Sequence, residues 1–517
     1  MFDKWYEFAA NRSSIVIDDF DSIHDDLAPF WSLQPSDLRD RTWEATSNPW
    51  NEISAISVRN GVADLAPNTI PTHRWMLEGV LQMMQPFCEW LPDMDIALNL
   101  NDECRVAVPW HKEEETRMLS HMMVDAMSNN PALTKWSTKR EEGWKETSTT
   151  LYDKTRFEDL SFTNIFHAYG AVTCPPESLA RTQRRRGTTG LCLSCVQPHS
   201  TGAFVSNWTL ASKICHQPDL ADLHGFFLSP AAFKGTHELM PVFSQSKVSG
   251  FNDIIYPSAW NYVDKASYQP TDEEPDLPFS QKNGTLFWRG STTEGVSLDG
   301  TWKGMTRQRL IHMTSDLTAA THVPVLLPRG RGQEGYEYEN VAIRDVGAHL
   351  RFDVGTIDQI QRCSGRDCAD QEQEFGFKTS TGFQQHWGYK YLFDLDGAGF
   401  SGRFLPFLHS HSLPIKTALF REWYDSRLTA WVHFFPQDLR LHGVYSTLAY
   451  FAGIQGPMGG RRINLRAHAR EAETIAEQGR EWAAKVLRKE DMEIYFFRLL
   501  LEWGRLTDDA RDQLGFA

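Results

Sequence analysis

The stretch from Tyr389 to Pro436 constrains the fold of this chain more than any other. Tyr391 to Leu395 is short, apolar and aromatic, the composition of a buried strand, and Gly397 and Gly399 end it. Ser401 is placed to cap a helix that starts at Gly402 and carries Arg403 in its first turn. Strand, glycine turn, helix N-terminus and arginine together suit an anion such as phosphate. The glycines admit a ligand to the backbone, and the helix dipole and guanidinium favour negative charge. An ordinary strand-to-helix turn has the same local pattern, so the rest of the chain has to decide.

With 517 residues the chain is long enough for two domains with substantial cores. A net charge of −15 argues against nucleic acid or an anionic membrane surface as the main partner, while leaving room for a local basic pocket. No apolar run is long enough to span a bilayer and no signal-peptide pattern opens the chain. N-glycosylation triplets at Asn11, Asn207 and Asn283 lean toward a secretory location. The eight cysteines allow disulfides, and Cys363 and Cys368, flanking a Gly-containing loop, are the best candidate pair. Cys192 and Cys195, with His199, Cys215 and His216 downstream, match no standard zinc spacing, so a disulfide or free thiols rank ahead of zinc. The eighteen tryptophans read first as core, although aromatic faces also stack on sugar rings.

Taken in order, residues 1–45 read as a stem packed on the first domain, with a helix start at Pro35. Thr72 to Leu91 reads as a helix whose Trp75, Met76, Val80, Met83 and Met84 form a core stripe. Ile96, Leu98 and Leu100 alternate with polar partners in a strand ending at Asp102, which puts that carboxylate where ligands gather in open α/β sheets. A first domain over 46–267 carries a long insertion at 110–224, whose charge runs at Lys139 to Glu142 and Arg184 to Arg186 read as solvated faces. Residues 268–278 form a linker and 279–455 a second domain, with an insertion near 329–379. Helices fill 456–517, with stripes at Ile475, Gly479, Trp482, Ala483 and Val486 and at Ile494, Phe497, Leu500 and Leu501.

Several blocks in fixed order resemble glycosyltransferase family 90, which includes capsule-associated fungal enzymes and the Rumi-type protein O-glucosyltransferases. They are Leu91 to Met94 leading to Asn101-Asp102, Pro241 to Ser244 with Ser246-Lys247, Asp253 to Pro257, and Phe287 to Ser291. Lys390 to Phe393 with Gly397, Ser401, Arg403-Phe404 and Trp431 to His433 completes the set. The resemblance implies an α/β fold of GT-B type, two Rossmann-like domains facing a cleft, with C-terminal helices crossing back. It implies an inverting transfer from a UDP-sugar, with Asp102 as general base taking the acceptor proton. It assigns Ser291, Arg307 and the run Ala398, Gly399, Phe400, Ser401, Gly402 and Arg403 to the donor diphosphate, where fixed donors meet the growing charge. Family members often have Arg-Asp with a proline soon after, whereas this chain has Asn101-Asp102-Glu103-Cys104, and Glu103 stands as second choice of base.

The donor expected is UDP-xylose, with UDP-glucose as runner-up, and the acceptor a glycan hydroxyl, with a protein serine as the alternative. No metal or other cofactor is expected. Asp394-Leu395-Asp396 offers the rival reading, since two carboxylates on one strand face could hold Mn²⁺. Arg289 reads as a donor residue or a strand-end salt bridge, Glu422 as a ribose ligand or a helix cap, and His433 as a core histidine. The alternative from another class is a catalytically dead carbohydrate-binding or capsule-assembly protein. The family implies the Golgi lumen, with membrane attachment only through an anchor segment outside this sequence.

Overall fold

Two five-stranded sheets carry the molecule. The computed structural model describes all residues except 1, 68, 70–72, 128–132, 134, 138–139, 146–153, 184–190, 315–321, 331–333, 358 and 515–517. The strands used below are β1 (Ile53–Arg59), β2 (Val62–Leu65), β3 (Met94–Asn99), β4 (Phe243–Ser244) and β5 (Ile254–Ile255) in the first sheet. The second holds β6 (Asn283–Gly290), β7 (Arg351–Thr356), β8 (Tyr389–Leu395), β9 (Leu413–Thr417) and β10 (Phe435–Pro436). The helices that matter are α1 (Phe2–Asn11), α2 (Pro35–Ser47), α3 (Arg74–Met84), α4 (Thr306–Thr314), α5 (Phe404–Leu408), α6 (Ala469–Val486) and α7 (Lys489–Leu506).

The first sheet runs β5-β4-β3-β1-β2 and is mixed, which departs from a Rossmann-like parallel sheet. β3, β4 and β5 are parallel, but β1 is antiparallel to both β3 and β2. The β1–β2 pairing has a local cause: Asn60 and Gly61 both take positive φ and close a two-residue hairpin, a geometry that Asn-Gly favours. The second sheet runs β7-β6-β8-β9-β10 and every pairing is parallel. Tyr391 to Leu395 at its centre are all buried, as expected of a strand covered on both faces.

The region near 329–379, read from sequence as an insertion, supplies β7, an edge strand of the second sheet paired with β6 from Thr285↔Arg351 to Gly290↔Thr356. Its polar composition, Arg-Phe-Asp-Val-Gly-Thr, hides a strand buried at one end only. Between 110 and 224 an 18-residue helix, Trp110–Met127, is followed by short helices and strands, and the Cys174–Cys215 disulfide closes the later part. Arg140 is no solvated charge: it bonds Asp508 and the Gly504 carbonyl at 3.1 Å. Lys139 and Arg184 to Arg186 lie outside the described residues.

One core contains β1, β3 and β4 together with Trp5 and Phe8 of α1 and Phe496, Phe497, Leu500 and Trp503 of α7. α7 is buried almost all round, so its apolar residues are not confined to one stripe. Trp5 Nε1 donates to the Ile494 carbonyl at 3.0 Å, and Trp503 Nε1 to that of Asp95 at 3.0 Å. A second core contains β6, β8 and β9. α6 joins the two, since Ala472, Ile475 and Ala476 pack in the second and Ala483 and Val486 in the first.

Candidate active site

A cavity of about 330 Å³ beside β7 and another of about 570 Å³ near Lys247 contain none of the residues expected to act. A third, of about 530 Å³, opens where β3, β6 and β8 end. Asp102, Ser291, Arg307, Ala398, Gly399, Phe400, Ser401, Gly402 and Arg403 all line it. Residues more than 290 positions apart thus meet at the carboxyl ends of strands, where α/β folds keep their ligand crevices.

β3 stops at Asn99, three residues before Asp102, because the Asn99 side chain takes over from the ladder. Its amide donates to the Glu103 carbonyl at 2.8 Å and its Oδ1 accepts from Asn101 N at 3.1 Å and Arg105 Nε at 2.5 Å. This clamped turn leaves Asp102 exposed at the cavity while burying Glu103. Glu103 Oε1 accepts from Ala231 N and Ala232 N, both at 3.0 Å. Burial, and secondly the Asp102 charge, push its carboxyl up to about 7.

Opposite Asp102, the glycine run follows β8. Ser401 does not cap a helix: its hydroxyl donates to Asp394 Oδ1 at 2.5 Å, and α5 begins only at Phe404, with Arg403 at the cap position. The glycines serve close approach within the protein. A Cβ on Gly399 would stand 2.5 Å from the Asp102 carbonyl oxygen, one on Gly402 2.4 Å from the Trp260 indole, and one on Gly397 3.1 Å from Arg307 Nη2.

Arg307 lies in the first turn of α4 and is buried. Its Nε donates to the Asp396 carbonyl at 2.7 Å and Nη1 to the Ser291 carbonyl at 3.0 Å and Thr293 Oγ1 at 3.3 Å. Arg403, partly buried, donates to the carbonyls of Arg289 at 2.6 Å and Leu395 at 3.4 Å. Neither forms an ion pair with a carboxylate among the described residues. Burial first and the neighbouring Arg403 charge second push Arg307 down to about 10. Glu294, which no sequence pattern singled out, holds this corner: its carboxylate accepts from the N–H groups of Gly225, Thr306 and Arg307 at 2.7, 3.0 and 2.8 Å.

Arg289 also lines the cavity but takes the salt-bridge role, with Nη2 2.6 Å from Asp353 Oδ1. Glu422 does not reach the cavity; it is buried 3.6 Å from Lys416 and bonded by the Tyr424 hydroxyl. His433 is half-buried, stacked on Trp482 at 5.6 Å, rather than a core residue. Asp394 faces the side chains of Ser401 and Lys416, whereas Asp396 accepts from the Leu419 and Phe420 amides, so the two carboxylates have different partners. Cys192 and Cys195 are joined in a disulfide, as are Cys363 and Cys368. Trp75, read as core, is only partly buried and lines the cavity with His73, Trp260 and Arg362; Met76 touches the cavity and is core, as read. The only signal for Trp260 was its place three residues after the Asp253 to Pro257 block.

A sequence profile described as Glycosyl transferase family 90 matches residues 229–510, more than half of the chain. The chain belongs to glycosyltransferase family 90. It is also similar to Protein O-glucosyltransferase 1 of Homo sapiens, 22% identical over 284 residues, which are 53% of this chain. The match spans 60% of that relative's length. The family-90 profile begins well after Asp102, so the cavity joins residues inside and outside the matched span. No helix among the described residues is long and apolar enough to cross a membrane.

Proposed function

We propose that this family-90 chain transfers a sugar, xylose by preference, from a UDP-sugar to a glycan hydroxyl with inversion. The observation that carries the reading is the pair Arg307 and Arg403, enclosed, in no ion pair with a carboxylate among the described residues, and facing the same cavity as the exposed Asp102. Both guanidiniums are held by carbonyl and hydroxyl oxygens, and a diphosphate would add the direct charge-assisted contact that offsets their burial. Ser291 and the Ala398 to Arg403 backbone complete the donor side, and Asp102 takes the acceptor proton as the new bond forms. Two sheets ending at one cavity support a GT-B arrangement, the acceptor on the first sheet's side and the nucleotide on the second's.

Trp75 and Trp260, 5.8 Å apart and edge to face, offer aromatic surface for a glycan acceptor. Metal-independence follows if the two arginines neutralise the leaving diphosphate. A second donor reading, UDP-glucose, is favoured by the name of the human relative. Three disulfides and three exposed sequon asparagines accord with a secretory location, proposed as the Golgi lumen.

Turnover and UDP titration of Asp102→Asn test the assignment. Turnover should fall by about 10²–10⁴-fold, the range for a lost general base, with UDP affinity kept. A folded Asp102→Asn protein with near-full turnover would reject Asp102 as base. Turnover with UDP-xylose, UDP-glucose and UDP-galactose ranks the donors, and a clear hexose preference would remove xylose.

A further inference from the structure

Gln245 stands in the cavity wall directly after β4 and is more than nine-tenths buried. Its amide is held one way round. Ser258 Oγ accepts from Trp260 N at 3.1 Å and donates to Gln245 Oε1 at 2.6 Å. Turned over, the amide would leave the Ser258 hydroxyl hydrogen without an acceptor among the described residues. It would also set a carbonyl oxygen against a thioether sulfur, which has no hydrogen to give. Gln245 Nε2 therefore lies on the other side, 3.2 Å from Met76 Sδ. Met76 lines the same cavity, so both ends of this contact belong to its wall.

A thioether is a weak acceptor, and an amide nitrogen carries two N–H groups. Among the described residues sulfur is the only partner of Gln245 Nε2. A buried donor paired so poorly is costly to keep, and a ligand oxygen that reaches it recovers the loss. Its side of the cavity follows from the first sheet. Leu98 of β3 pairs in parallel with Phe243 of β4, and the Asn99 amide that clamps the Asp102 turn also donates to Ser244 Oγ at 3.0 Å. Asp102 and Gln245 thus leave neighbouring parallel strands at the same end. Ser291 and the Ala398 to Arg403 run follow β6 and β8 of the second sheet instead.

We propose that Gln245 selects the acceptor, by donating an amide N–H to one hydroxyl oxygen of the acceptor sugar. This rests on the transferase reading above and specifies how its acceptor is recognised. Trp75 and Trp260 offer surface to a sugar ring without regard to where its hydroxyls stand. An uncharged donor of fixed orientation adds that information, because it rewards an oxygen at one place on the ring.

The test titrates UDP-saturated protein, by calorimetry, with methyl β-D-glucoside, methyl β-D-galactoside and methyl α-D-mannoside, then with the monodeoxy analogues of whichever binds tightest. One deoxy analogue should bind about 2–12-fold weaker than its parent, the equivalent of one neutral hydrogen bond. In Gln245→Met, close in volume, that analogue and its parent should bind alike, with UDP affinity unchanged. Gln245→Glu keeps an acceptor for Ser258 but offers no N–H, and should lose the same discrimination; it carries the test if the first variant does not fold. A merely structural role would weaken parent and analogue together and keep the wild-type ratio between them, which overturns the proposal. Equal binding of every deoxy analogue and its parent to the wild type also overturns it, as does failure of all three glycosides to bind protein that binds UDP. A fall in UDP affinity in Gln245→Met overturns it by moving the residue to the donor site. Failure of the wild-type protein to bind UDP would bring down the transferase reading itself, and is thereby distinguished from the others.

Discussion

Gly399→Ala tests whether the two sides of the cavity are set by direct contact. The added Cβ would lie 2.5 Å from the Asp102 carbonyl oxygen and 3.1 Å from its carbonyl carbon and Cβ. A carbon and a carbonyl oxygen rest at about 3.3 Å, so Asp102 and the glycine run must part by roughly 0.8 Å. The obstacle is backbone on both sides and cannot swing away as a flexible side chain would. Gly399 is not among the glycines at positive φ, so alanine meets no conformational penalty and the contact alone is tested. A misplacement of about 1 Å costs on the order of 10²-fold in rate. That is roughly 2.7 kcal/mol of transition-state stabilisation. UDP affinity should change less than turnover, because Ser291 and Arg307 lie outside the displaced run. Gly284→Ala is the control, since nothing stands within 4 Å of its Cβ position. Initial-rate kinetics and UDP calorimetry read the two effects separately. Near-wild-type turnover in a folded Gly399→Ala protein would refute the reasoning, and so would a loss of UDP affinity as large as the loss of rate.

Activity should survive thorough chelation, because guanidinium and N–H groups supply the positive charge; complete loss rescued by Mn²⁺ would bring Asp394 and Asp396 into the mechanism. Glu103 keeps its proton to about pH 7 in the folded protein, against 4.5 ordinarily. Unfolded chains therefore bind fewer protons between those values, and stability falls as pH rises through that window, by roughly 3 kcal/mol. Glu103→Gln, whose Oε1 can still accept from Ala231 and Ala232, should lose that part of the slope in urea titrations at pH 5 and pH 8; an unchanged slope would mean that Glu103 is ionised throughout. Replacing Cys174 and Cys215 with serine opens a link 41 residues apart and should cost about 4 kcal/mol, against about 2 for Cys363 and Cys368, which are 5 apart. Thermal melting orders the two, and the reverse order would show that loop entropy is not the main contribution.

Much of the scaffold was legible because local physics dictates it. β8 announced itself as an apolar run ended by glycines, and α6 and α7 by their helical periodicity. The resemblance of ordered blocks brought Asp102, Ser291, Arg307 and Arg403 forward before any distance was known. Other features could not be read locally. β7 looks polar because it lies at a sheet edge, and Trp75 looks like core because helical spacing records a buried face without saying what covers it. Ser401 suits a cap by composition, yet its hydroxyl donates to the buried Asp394 carboxyl, which has to be satisfied in the interior, and α5 starts only at Phe404.

The sequence by itself determined the central strand β8, the C-terminal helices α6 and α7 and the chemical kinds of group available, because φ/ψ preference and hydrophobic period act over a few residues. Only the tertiary structure decided which of those groups face one another. Asp102 against Gly399, Arg307 against Ser291 and Asp396, and Arg362 against Thr293 are pairs set by how the two cores, bridged by α6, pack together. Contacts of that range arise from how buried surfaces fit, and no window of neighbouring residues encodes them.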